Sequence, residues 1–114
     1  MLLIIRERAT PEQMRQMLEA LGIYIKLAVD TERGIIAGGG ELHADCEQVL
    51  LADSSQQAHV WGADWYPFDQ TVGYESIINI RPSANNRSME IQSLELRTQV
   101  DQIAQSLLGG VQWQ

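Results

Sequence analysis

The sequence has 114 residues, and its 15 acidic and 8 basic side chains give a net charge of −7 at pH 7. A chain of this length is expected to fold as a single globular domain, here residues 1–114. The charge excludes a nucleic-acid binder that relies on phosphate contacts, because such contacts need clustered Lys and Arg. It also argues against docking on anionic membranes, and no apolar run reaches the roughly 18 residues of a spanning helix.

The negative charge is concentrated in the middle of the chain. Between Gly34 and Ile80 there is no Lys or Arg. Seven acidic residues fall in that stretch: Glu41, Asp45, Glu47, Asp53, Asp64, Asp69 and Glu75. The other 15 − 7 = 8 acids balance the 8 bases, so this acidic middle accounts for the whole net charge.

Several kinds of site are excluded by composition and spacing. Cys46 is the single cysteine, so there is no internal disulfide, and a cytoplasmic protein is the default prediction. Lys26 is the single lysine and lies in no phosphate-binding loop motif. No dinucleotide-binding glycine motif or nucleophile elbow occurs, and one Cys with two His cannot form a Cys-rich zinc site. We therefore predict no cofactor and no metal.

The N-terminal half predicts a strand, a helix and a hairpin. Residues 2–6 form an apolar strand, and Thr10 and Gln13 flank Pro11 as a capping box that begins a helix. An apolar stripe continues this helix towards Gly22: Met14, Met17, Leu18 and Leu21. Alternation over residues 23–30 predicts a strand with one buried face, which a turn connects to a second strand at residues 35–37.

The C-terminal half is less regular. Residues 41–51 fit either a helix beginning after Ala44 or a short strand, and we favour the helix. Residues 61–67 predict an extended segment, residues 74–81 a further strand, and Ser93 the cap of a last helix before a loose tail. The order of elements predicts an α+β fold, a mostly antiparallel sheet with two main helices packed on one face.

The first candidate site is the segment 38–45, where three glycines precede Glu41, His43 and Asp45. In an extended chain these three side chains point the same way and form a candidate acid–base site, with His43 as the acid or base. In a helix they point apart. The alternative interpretation is a glycine bulge followed by a helix whose acidic first turn complements the helix dipole.

The second candidate site is the polar loop 79–88. It contains five candidate ligand-binding residues: Asn79, Arg81, Ser83, Asn86 and Arg87. Guanidinium, amide and hydroxyl groups together are typical of an anion-binding loop. The alternative is that turn-forming side chains shape the loop and the arginines neutralise the acidic middle, for instance by pairing with Glu41 or Asp45.

A third feature is the aromatic stretch 61–69, which could stack on a sugar or a base, form the edge of the core, or bind a partner. The motifs GGGELHAD (38–45), VWG (60–62), INIRPS (78–83) and NRS (86–88) together resemble a small bacterial family of unknown function, frequent in cyanobacteria. The resemblance implies one compact cytosolic domain and supplies no activity or cofactor.

Two hypotheses of function follow. The first is a non-catalytic binding or regulatory domain that acts through a protein partner or as a homo-oligomer. The second is a small enzyme or ligand-binding protein, with an anionic ligand held between segments 38–45 and 79–88. The second predicts that both segments converge on one cavity.

Overall fold

A computed structural model describes residues 1–114 as one antiparallel sheet of five strands with three α-helices. In chain order the elements are β1 (Leu3–Ile5), α1 (Pro11–Leu18), β2 (Ile25–Asp30), β3 (Ile35–Gly40), α2 (His43–Ala52), β4 (Val60–Tyr66), β5 (Thr71–Gly73) and α3 (Leu94–Leu108). Short 3-10 turns occur at Gln57–His59, Ile77–Asn79 and Pro82–Ala84. The strands lie in the order β1-β3-β2-β4-β5, which confirms the predicted α+β class.

Both predicted helix caps are present. Gln13 N–H donates to Thr10 Oγ1 at 3.1 Å, and Thr10 N–H donates to Gln13 Oε1 at 2.9 Å, so α1 begins with a complete capping box. Ser93 Oγ accepts from Leu96 N–H at 3.2 Å at the start of α3. These side chains satisfy amide groups that would otherwise lack partners in the first turn.

Helices cover both faces of the sheet. Helices α1 and α3 share a face with an apolar cluster of 18 buried residues, among them Leu27, Ile36 and Trp65. Helix α2 covers the opposite face, where a smaller cluster of six buried residues includes Ala28 and Cys46. The two-helix face is therefore confirmed, and the ambiguous segment 41–51 is a helix that begins at His43.

Helix α2 explains why the prediction of a single buried face on β2 is wrong. Strand β2 was expected to bury one face, but Ala28 and Asp30 are buried beneath α2 as completely as Leu27 and Val29 are beneath the other helices. The Oδ1 of Asp30 accepts from the N–H groups of two residues in the following turn, each at 2.9 Å, whereas its Oδ2 is buried without a partner.

The three glycines of β3 let the two helices approach the sheet. A Cβ at Gly38 would lie 3.1 Å from Met17 Sδ of α1, and a Cβ at Gly40 would lie 3.2 Å from Cys46 Sγ of α2. Gly39 has φ +100°, and the register shifts at this point, since Lys26 pairs with Gly40 and Leu27 with Gly38. The predicted glycine bulge with close backbone approach is confirmed.

Two predictions in the C-terminal half are wrong. Residues 74–81 do not form a strand, because Ser76 Oγ accepts from Ile78 N–H and the chain turns into the 3-10 turn Ile77–Asn79. Alternation of apolar residues indicated a strand there although Ile77 is largely exposed. The tail is also not loose, since Val111 is buried and the Trp113 ring packs edge-on against Phe68, with ring centroids 5.3 Å apart.

Candidate functional site

The acidic and histidine side chains of segment 38–45 do not come together. Because α2 begins at His43, Glu41 precedes the helix and Asp45 lies in its first turn. Both are exposed and make no ion pair. His43 instead turns towards β4, where its Nε2 lies 2.8 Å from Asp64 Oδ1 and 3.0 Å from Ala63 O. Since both neighbours are acceptors, Nε2 carries a proton and donates. The side chains of His43 and Asp64 are each 11% exposed.

Asn79 closes the open edge of β4. Strand β5 pairs with β4 only from Asp64 to Tyr66, so the beginning of β4 has no neighbouring strand on that side. The Asn79 side chain occupies this position: its Oδ1 accepts from Gly62 N–H at 2.8 Å, and its Nδ2 donates to Gly62 O at 3.0 Å. A side-chain amide thus replaces a neighbouring strand and protects the edge from other pairing.

Arg81 continues the same edge. Its Nη2 donates to Val60 O at 2.7 Å and to Ile78 O at 3.3 Å, and its Nη1 donates to Gln57 O at 3.0 Å. The guanidinium also lies over the Trp61 ring, 4.4 Å from the centroid. Burial lowers the pKa of Arg81, and the nearby Glu47 carboxylate opposes this effect. Arg81 is therefore fixed in one orientation by main-chain carbonyls.

The remaining candidates of the loop divide into buried and exposed residues. Asn86 is buried, and its Nδ2 donates to three main-chain oxygens, those of Asn79, Ser88 and Glu90. Ser83 and Arg87 are exposed, and neither side chain makes a hydrogen bond or an ion pair within the protein. Ser83 and Arg87 are thus the candidates that remain available to a ligand.

The acid that faces Arg81 is Glu47, which sequence analysis did not select. The predicted pairing of Arg81 and Arg87 with Glu41 or Asp45 is absent. Glu47 lies one turn after His43 on α2, and its Oε2 is 3.9 Å from Arg81 Nη2. The sequence does contain a pattern that could have identified Glu47. This residue lies three positions before Leu50 on the apolar stripe of the helix, where a charged side chain is unusual.

Glu47 and Arg81 lie in a cleft on the α2 side of the sheet, which we name the isoleucine cleft. Its volume is about 480 Å³. It is lined by Glu47, Gln57, Ala58, Ile77, Ile78, Ile80, Arg81, Ser83 and Ala84. Ile77 is 69% exposed and Ile80 45% exposed, so two large apolar side chains stand open to solvent beside a carboxylate and a guanidinium.

A second cleft, of about 560 Å³, lies between the polar loop and the start of α3. Its lining includes the polar residues Asn85, Gln92, Ser93 and Glu95 together with Trp61. The aromatic stretch 61–69 is largely internal, since Trp61 and Trp65 belong to the large apolar cluster. Of the three interpretations, its contacts match the edge of the core.

No three His, Cys, Asp or Glu side chains are grouped as metal ligands in the structure. None of its helices combines the length and the apolar character needed to cross a bilayer.

Residues 3–107 match the family described as "Protein of unknown function (DUF5674)". The chain belongs to this family. No curated protein and no solved structure matches it.

Proposed function

We propose that this DUF5674 protein is a non-catalytic binding domain that acts through a protein partner or by self-association. The exposed isoleucines of the isoleucine cleft carry this proposal. Exposed apolar side chains grouped around a concavity and bordered by polar groups are characteristic of protein–protein contact surfaces. Ser83 and Gln57 supply such polar groups at this cleft.

The sharpest test compares two exposed isoleucines. Ile77 in the cleft is 69% exposed and Ile23, which does not line it, is 67% exposed, so serine at either position removes a similar apolar area at little cost in stability. Light scattering over a range of concentrations measures self-association. Affinity capture with mass spectrometry measures binding of other proteins. Ile77→Ser is expected to abolish the association, whereas Ile23→Ser retains it.

The proposal fails under either of two results. The first is a wild-type chain that stays monomeric and captures no reproducible partner. The second is an equal loss of association in both variants, because it would show that general surface hydrophobicity rather than the cleft is responsible.

A second candidate is an anionic-ligand site, with or without catalysis. It is supported by Arg87 and Ser83, whose side chains are exposed and make no hydrogen bond or ion pair within the protein. In this proposal His43, Glu41 and Asp45 remain candidate catalytic groups, and Arg81, Asn79 and Asn86 shape the loop. Titration with inorganic phosphate, followed by the amide resonances of residues 82–88, tests it. Saturable shifts that disappear in Arg87→Gln support it, and their absence in the wild type contradicts it.

A cytoplasmic location and a bacterial origin also stay proposals. The single cysteine, buried and without a disulfide, is compatible with a reducing compartment. Fractionation of cells that produce the protein with a small C-terminal tag tests the location directly.

A further inference from the structure

The second cleft holds a hydrogen-bond donor that the protein itself does not use. Trp61, one of its lining residues, is only 5% exposed. Its Nε1 donates to no acceptor of the protein, yet it is not one of the three buried polar atoms that lack a partner, so it reaches solvent. Since Trp61 lines this cleft and not the isoleucine cleft, the indole N–H opens into the second cleft. A nearly enclosed donor in such a place can bind a ligand that accepts a hydrogen bond.

Several exposed side chains around this donor are also free. Asn85, Glu95 and Gln99 line the cleft and make no side-chain hydrogen bond or ion pair within the protein. The Oε1 of Gln92 accepts from Arg87 N–H at 3.4 Å, which leaves its Nε2 without an acceptor. The cleft therefore offers amide donors, amide acceptors and one carboxylate to a ligand.

The fold fixes the lining before any ligand arrives. The Arg81 guanidinium lies 4.4 Å from the centroid of the Trp61 ring and covers it. Asn86 Oδ1 accepts from Gln92 N–H at 2.9 Å, which ties the polar loop to the chain just before α3. A ligand that enters this cleft therefore has to order few protein groups, and the entropic cost of binding is reduced.

We propose that the second cleft binds a neutral sugar. Its hydroxyl groups would accept from Trp61 Nε1 and the side-chain amides, and would donate to Glu95. Each hydroxyl both donates and accepts, which matches a lining of mixed donors and acceptors. The cleft volume of about 560 Å³ is in the range of small-molecule sites. This inference goes beyond the proposed function, because the two clefts share only Ala84.

The lining disfavours other classes of ligand. Glu95 is its only charged residue and the chain carries a net charge of −7, so an anion is repelled. A cation would face the N–H of Trp61 and the amide donors. A nucleobase needs an aromatic face to stack on, but Trp61 is covered by Arg81 and no other aromatic residue lines the cleft. An apolar ligand would leave the polar groups without partners.

The test titrates the full-length, isotope-labelled protein with glucose, galactose, mannose, maltose and lactose. The indole N–H signals of the three tryptophans report in one spectrum. The Trp61 signal is expected to shift saturably with at least one of these sugars. Trp65, whose Nε1 is enclosed, and Trp113, which does not line the cleft, are internal controls whose signals are expected to stay in place.

Two glutamines of α3 provide a matched pair of variants. Gln99 lines the cleft, whereas Gln102 is equally exposed on the same helix and does not. Gln99→Ala is expected to weaken binding of the tightest sugar about fivefold, the ratio for one neutral hydrogen bond. Gln102→Ala is expected to leave the affinity unchanged. Both changes are at exposed positions, so the fold is retained.

Other results overturn the inference. One is the absence of a saturable Trp61 shift with all five sugars, and another is an equal shift with glycerol at the same hydroxyl concentration. Tighter binding of glucuronate, glucosamine or adenosine would assign the cleft to an anion, a cation or a base. Equal weakening in both glutamine variants would place the sugar elsewhere. Ile77→Ser is expected to leave sugar binding intact, so this inference and the proposed function can fail independently.

Discussion

The face of the sheet under α1 and α3 buries a cluster of 18 mainly large apolar residues, whereas the face under α2 buries a cluster of six, mostly smaller ones. All three buried carboxylates of the protein lie on the α2 side: Asp30, Glu47 and Asp64. The first face supplies most of the apolar burial that drives folding. Since that stability is available, the second face can keep polar groups whose burial is costly, and this is where a binding function is expected.

The largest loss of stability is expected for a substitution on the face of the sheet under α1 and α3. Leu27 is fully buried in the large cluster, and Leu27→Ala would remove three carbon atoms and leave a cavity. We expect the free energy of unfolding to fall by about 3 kcal/mol, as is usual for such truncations. Urea denaturation followed by circular dichroism measures this, and a loss below about 1 kcal/mol would mean that this face is not the main source of stability.

A smaller loss is expected at the edge of β4. Asn79→Ala would leave the N–H and C=O groups of Gly62 without their side-chain partners. It would also remove one of the two hydrogen bonds accepted by Tyr74 O and one of the two accepted by Met89 O. We expect a cost of about 2 kcal/mol, because buried groups would lose their hydrogen bonds. Asn85→Gly is a control in the same loop, since Asn85 is exposed and has φ +57°, which glycine adopts freely. Equal costs for both variants would contradict the edge-closing role of Asn79.

The thiol of Cys46, on the α2 face, affects the free energy of unfolding only at high pH. Burial raises the pKa of Cys46 from its ordinary value of 9.0 to about 11, because the thiolate is poorly solvated under α2. The Cys46 thiol therefore stays protonated to a higher pH in the folded state than in the unfolded state. The stability that this contributes is fully present below pH 9 and is lost as the pH rises towards 11.

Two measurements check the thiol. Ellman's reagent at pH 8 is expected to react slowly with the native protein and quickly with the protein in urea. The free energy of unfolding is expected to fall between pH 9 and 11 more steeply in the wild type than in Cys46→Ala. Parallel pH curves for the two proteins would show that the pKa of Cys46 is the same in the folded and unfolded states.

The smallest effect on stability is expected at Glu47, the buried carboxylate beside Arg81. Glu47→Gln removes a charge that receives no hydrogen bond and forms only a long ion pair with Arg81, at 3.9 Å. Arg81 keeps its three main-chain acceptors. We expect the free energy of unfolding to change by no more than about 1 kcal/mol, which is small for a buried ionic group. Urea titration measures it. A loss of several kcal/mol would indicate that Glu47 is retained to stabilise the fold.

Local patterns predicted those elements whose signals are contained in a few neighbouring residues. Thr10 and Gln13 form a capping box whatever the rest of the chain does, and the glycines of β3 indicated a bulge before any partner was known. The same patterns failed at residues 74–81, because alternation cannot distinguish a strand from a 3-10 turn in which Ile77 is exposed. They also failed for β2, because its own residues do not indicate that α2 packs on the second face of the sheet.

The candidate site depended even more on distant contacts. Sequence selected Arg81 and His43 by their chemistry, but their partners Glu47 and Asp64 follow only from how α2 lies across β4. Asn79 and Asn86 were selected as ligand-binding amides, and each is bound to main-chain groups. A polar side chain has the same appearance in sequence whether it meets a ligand or the edge of a strand.

The sequence by itself therefore determined the single α+β domain, its helix caps, its glycine bulge and a net charge of −7 located between Gly34 and Ile80. The tertiary structure decided which of those charged side chains face solvent and which are buried. Glu41 and Asp45 face solvent, whereas Glu47 lies buried beside Arg81 without a hydrogen-bond donor. The physical reason is that charge and capping are properties of residues and their neighbours, but desolvation and hydrogen bonding depend on segments that only folding brings together.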